Sequence, residues 1–345
     1  MTGSQITPQD TRRSVRSRRK RAIAAVALSV AATGAWLSIV LAGRAEPPDP
    51  PVKSATAKQL NHVMAKLRPL HKTLGKPQPG QWLARFKEPG QTFDEYRRCR
   101  PVLPRGTRRV LYVQPLGDFN ATQRKIIDLT AEYMRLYFSL PVKVNKPLSL
   151  KVIPASARRT HPTWGDKQIL TTYVLDTVLP PRLAKDAAAL IAFTPSDLWP
   201  GEGWNFVFGQ ASLRERVGVW SIHRNGDPAK GPSAFRLCLL RTIKTATHET
   251  GHMFSMLHCT AYECNMCGSN SRAESDSHPA ALCPECLAKV CWAVGADPLK
   301  RFVSLYRFCR AQGLKAQADF FARSIRALGG TVPQSRPDPA NRTQR

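Results

Sequence analysis

Apolar residues at Leu60, Val63, Met64, Leu67 and Leu70 recur at helical spacing and predict a helix over Lys58 to Leu74 with one buried face. From Val110 the period shortens. Val110 to Val113 reads as a strand, Ala121 to Tyr137 as an amphipathic helix, and Val142 to Val144 as a second strand. A helix is expected over Asp166 to Leu179, followed by a strand over Ala189 to Thr194. This alternation predicts an α/β (α+β) domain in which helices cover a mixed sheet. Further on, Ile243, Ala246, Met253, Phe254 and Met256 give a helix that packs into the core.

The most apolar stretch is near the N-terminus. Residues 1–21 carry Arg12, Arg13, Arg16, Arg18, Arg19, Lys20 and Arg21, and residues 22–43 then contain no charge. As a helix, that run is long enough for about 30 Å of hydrocarbon. The basic block before it keeps the N-terminus cytoplasmic and places the rest of the chain on the far side of a membrane. Secretion after cleavage of a signal is the alternative. Residues 44–106 then form a Pro-rich linker and a helical arm, 107–310 the main domain, 311–330 a C-terminal helix and 331–345 a polar tail expected to be disordered.

The candidate chemistry lies between His248 and Cys286. His248 and His252 are four apart, so both imidazoles share one helix face and can reach one metal ion. Glu249 stands beside that ion, placed to take a proton from water. His258 follows six residues after His252, within reach if the chain turns back at the helix end. Three neutral nitrogens and an open position suit a catalytic zinc. Cys259, Cys264, Cys283 and Cys286 make two short thiol pairs that could close a tetrahedral structural zinc, with Cys267 competing for the place of Cys264. Two disulfides are the alternative for an exported chain.

The succession His-Glu-x-x-His-x-x-Ser-x-x-His-Cys, then Cys-x-Met, then Cys-x-x-Cys, resembles that of the archaemetzincins. In these metzincin peptidases a three-histidine catalytic zinc runs directly into a four-cysteine structural zinc. The similarity extends over about residues 80 to 310. Arg109 to Gly117 looks like the family's first strand, and Asn205 to Ala211 and Val217 to Ile222 like the two strands before its active-site helix. One position departs, since Ser255 stands where the family has Gly; a non-Gly residue in a left-handed turn costs about 1 kcal/mol. The resemblance implies that Met266 lies beneath the catalytic metal and that Val217 to Ile222 is the edge strand pairing with an extended peptide.

These readings predict a zinc metallopeptidase with two zinc ions per chain, a zincin-like fold preceded by one transmembrane helix, and a C-terminal subdomain holding the structural zinc. Peptides or proteins are the expected substrates, the membrane is a partner through the N-terminal helix, and the chain is expected to be a monomer. A membrane-tethered binding protein with only structural zinc is the alternative. Net charge is +28, but the basic residues are spread along the chain and no nucleic-acid motif accompanies them. Cys99 is read as an ordinary loop cysteine rather than a thiolate plug for the open metal position.

Overall fold

Chain order gives strands β1 (Val110–Pro115), β2 (Val142–Val144), β3 (Arg158–Thr160), β4 (Lys167–Leu170), β5 (Ala187–Thr194), β6 (Asp197–Trp199), β7 (Gly209–Ser212) and β8 (Val217–Ser221). The computed structural model describes residues 55–212 and 215–334. The basic segment 1–21, the apolar run 22–43 and most of the tail 331–345 therefore lie outside the described residues. Among the described residues, no helix is long and apolar enough to cross a membrane.

The main sheet has the order β2-β1-β5-β8-β7. Its first four strands are parallel, and β7 runs antiparallel to β8 at the edge. Every residue of β5 is buried, as expected of a central parallel strand covered on both faces. A smaller sheet, β3-β4-β6, packs against it, with Ile169 and Leu198 in one apolar cluster with Leu190, Val217 and Val219. Two expectations need correction here. Val217 to Ile222 does not form the edge: β8 lies between β5 and β7, so β7 presents the open backbone. The helix expected over Asp166 to Leu179 begins only at Thr171, because Lys167–Leu170 is claimed by pairing with β3 and β6.

The helices are α1 (Ala57–Leu67), α2 (Trp82–Arg85), α3 (Phe93–Arg98), α4 (Ala121–Phe138), α5 (Thr171–Tyr173), α6 (Pro232–Met253), α7 (Arg272–Ser277), α8 (Pro284–Val294), α9 (Pro298–Ala311) and α10 (Lys315–Ala327). α1 starts at a capping box, with Thr56 accepting from the amide of Gln59, and buries Leu60, Met64 and Leu67. These side chains share one core with Phe93 and Tyr96 of α3, Ile126 and Met134 of α4, and Phe321 and Ile325 of α10. The arm and the last helix are thus built into the same core as the sheet.

α6 carries the candidate chemistry. It starts at Gly231, held at φ 113°, with Pro232 at its first position. Its 22 residues correspond to about 33 Å, pack against α4 and end at the metal-ligand cluster. Thr242 and Thr247 turn their hydroxyls back to the carbonyls of Cys238 and Ile243, both at 2.7 Å, so neither acts as a cap.

Candidate active site and metal centres

α6 ends in a turn that returns the chain toward its own last coil. The amide of Met256 donates to the carbonyl of Gly251 at 3.1 Å, and that of Ser255 to the carbonyl of His252 at 2.8 Å. This is the hydrogen-bond pattern of a Schellman motif, whose left-handed position falls to Ser255 at φ 64°. A glycine is usual there. Ser255 offsets part of the backbone strain by accepting a hydrogen bond from the Val102 amide at 3.0 Å. Gln91 binds the turn as well, its Oε1 accepting from the Leu257 amide at 3.2 Å.

The turn brings His258 to the two helical histidines. His248, His252 and His258 each offer a ring nitrogen, and these atoms lie within 4.8 Å of one another. The opposite ring nitrogens are engaged. Nδ1 of His248 meets the carbonyl of Asn265 at 2.7 Å, and Nδ1 of His252 meets that of Met256 at 2.6 Å. Nδ1 of His258 meets both carboxylate oxygens of Glu88, at 3.0 and 2.9 Å. Such acceptors require N–H at Nδ1, which leaves the three Nε2 lone pairs facing inward. Burial and the neighbouring His258 hold the pKa of His248 down at about 3, and burial and His248 hold that of His252 well below the usual imidazole value. Both are therefore neutral near pH 7, the form that binds a metal.

Glu249 lines the same cleft as His248 and His258. It is buried, its Oε2 has no hydrogen-bond partner, and burial pushes its pKa up to about 8. An orphaned carboxylate oxygen beside three converging nitrogens fits a site built around a cation and water. Below it, Met266 packs against α6 where the helix has Gly251; a Cβ there would come within 2.8 Å of the methionine sulfur.

Cys259, Cys264, Cys283 and Cys286 form a second cluster, all buried, with sulfur atoms within 4.8 Å of one another. Sγ of Cys259 and Cys283 are 3.7 Å apart, far beyond a sulfur–sulfur bond, and all nine cysteines are free thiols. The arrangement is therefore four converging thiols rather than two bonded pairs. Amides point at them: Cys283 and Met266 donate to Cys264 at 3.2 and 3.5 Å, and Cys286 donates to Cys283 at 3.5 Å. Cys283 caps α8, whose N-terminal dipole favours negative sulfur. Cys267 is outside the four and turns to the carbonyl of Tyr262 at 3.2 Å. The exposed Cys99 turns to the carbonyl of Tyr96 in its own helix at 3.1 Å.

The family model for Peptidase family M54 matches residues 187–291, which include both clusters. Archaemetzincin-2 of Homo sapiens is 33% identical over 265 residues, covering 67% of this chain and 72% of the human protein. The chain belongs to the archaemetzincin family. It is a metallopeptidase of a zinc-dependent family. Archaemetzincin of Thermococcus kodakarensis is also 33% identical, over 53% of this chain and 95% of its own length. The crystal structure of archaemetzincin from Methanopyrus kandleri is similar with a TM-score of 0.43 and 30% identity, covering 55% of this chain and 96% of that one.

Two participants carried no sequence signal. Glu88 is a single acid in an irregular arm, 170 residues from His258, and lies outside the matched segment. Trp82, also in the arm, sets its ring edge-on to His258 with centroids 5.1 Å apart. Residues 82–102 thus act as a strap over the turn that delivers the third histidine.

Proposed function

We propose that His248, His252 and His258 hold a zinc ion through Nε2 and that the chain hydrolyses peptide bonds with Glu249 as general base. A zinc ion bound there would supply Lewis acidity, polarising a carbonyl and acidifying water towards a pKa of about 7. Glu249 takes the proton from the attacking water and passes it to the departing amine. Asn265, Met256 and Glu88 fix the tautomers and orientations of the three imidazoles through their Nδ1 bonds. The edge strand β7 offers free backbone groups with which an extended peptide can pair. Cys259, Cys264, Cys283 and Cys286 hold a second, structural zinc that braces the loop after His258.

The observation that carries the reading is the partnerless, buried Oε2 of Glu249 in the cleft that the histidines open into. The test is Glu249→Gln. It should retain the metal and lower kcat by roughly 10²- to 10⁴-fold. Hydrolysis at the parental rate by the metal-loaded variant would end the proposal.

Membrane attachment through residues 22–43 is part of the same proposal, supported by that uncharged run and the basic block before it. A C-terminal reporter active only in the cytoplasm should stay silent; a signal from it would reverse the orientation.

A further inference from the structure

Lys244 stands one turn before His248 on α6 and lines the same cleft. It is buried, at 7% exposure. Its ammonium donates to the carbonyls of Ser275 and of His278, the latter at 2.6 Å, which leaves one of its three donors unused. Among the described residues it forms no ion pair, and the surrounding acids are committed elsewhere. Asp276 holds Nε of Arg241 at 3.0 Å, Glu263 holds Lys72 at 2.6 Å, and Glu274 accepts from the amides of Trp82 and Asn270. Glu249, in the same cleft, makes no hydrogen bond with Lys244, and its Oε2 is partnerless.

A second cation and a neutral imidazole lie nearby. Arg272 lies over the ring of Phe208, another cleft residue, and its Nε is buried without a partner. Nε2 of His278, in the same lining, is also buried and partnerless. The free volume is about 50 Å³, room for about three to five water molecules or one carboxylate-sized group. Lys244 lies four positions before His248, one helical turn or about 6 Å along the axis.

We propose that this wall is a carboxylate subsite and that the cleft selects peptides with an acidic side chain or a free C-terminal carboxylate next to the cleaved bond. The inference rests on the peptidase reading above and names its substrate class. A carboxylate entering the cleft would accept from charged donors shielded from water, where such bonds are strongest.

Peptide pairs differing only by Glu or Gln on either side of the cleaved bond, each with a free or an amidated C-terminus, test it. The parent should favour the acid by about 10- to 100-fold in kcat/KM, the range expected for a hydrogen bond to a charged group. The free-versus-amidated arm tells a terminal carboxylate from a side chain. Lys244→Arg should keep the preference and Lys244→Met should bring it close to parity. Parity in the parent, or an undiminished preference in folded Lys244→Met protein, overturns the subsite. Calorimetric binding of the same peptides to zinc-loaded Glu249→Gln protein reads the preference without turnover, and equal binding of acid and amide also overturns it. Acid-selective binding by a parent that cleaves nothing upholds the subsite and counts against the peptidase reading alone.

Discussion

Glu88 turns both carboxylate oxygens to Nδ1 of His258, at 3.0 and 2.9 Å, across 170 residues of chain. A carboxylate in that place fixes the ring and raises its basicity toward a metal. Glu88→Ala should weaken zinc affinity at the histidine site by roughly 10- to 100-fold, and Glu88→Gln by less because an acceptor remains. Competition with a chelating dye measures this, and an unaltered affinity in the Ala variant would show that the contact is incidental.

Ser255 combines a strained backbone with a useful hydroxyl. Ser255→Gly relieves the left-handed strain but loses the bond from Val102, two effects of about 1 kcal/mol each and opposite sign, so stability should change little. Ser255→Ala keeps the strain and loses the bond, and should be less stable by about 1–2 kcal/mol. Urea unfolding of the three proteins checks the order. Ala equal to or above Gly would refute it.

Removing metal should expose the histidines to acid. The folded-state pKa of His248 is depressed to about 3 and that of His252 well below its usual value, both from about 6.5 when unfolded. Depressed values contribute stability that is complete above about pH 6.5 and lost as pH falls toward 3, at up to about 1.4 kcal/mol per pH unit for each ring. Chelator-stripped protein should therefore unfold at lower urea as pH drops from 6.5, and His248→Gln should flatten that slope. An identical slope in the variant would rule the histidines out as its source.

Metal analysis of the purified protein should give two zinc ions per chain. Cys264→Ser or Cys283→Ser should reduce the count to one and lower the unfolding temperature, since structural zinc contributes directly to folding. A parental count of one would remove the thiol site from the proposal.

The parts of the fold written in local patterns were readable. β1, α4 and β2 follow from their spacing, and the histidines and cysteines from motif distances on one helix and its return. What escaped depended on tertiary partners. The five residues of β8 are all buried, and such an inward, two-sided burial belongs to an internal strand, whereas short, half-exposed Gly209–Ser212 has the character of an edge. Lys167–Leu170 became a strand only because β6 lies beside it. Glu88 and Lys244 acquire meaning through groups far along the chain, which no local period encodes. The early start of α6 was signalled by Gly231-Pro232, a cue that is local but lies well before the histidines.

His258 and Cys259 are consecutive, about 3.8 Å apart at their Cα atoms, yet belong to different clusters. With both proposed zinc ions bound, one peptide unit would therefore serve two ions. An ion at the thiols would hold Cys259 and lower the entropy that His258 must lose to bind its own, so the two occupancies would be thermodynamically linked. Linkage is reciprocal: whatever factor the thiol ion adds to affinity at the histidines, the histidine ion returns to the thiols. Loading would then be cooperative, and a falling zinc supply would empty both sites over a narrower range of concentration than either would show alone.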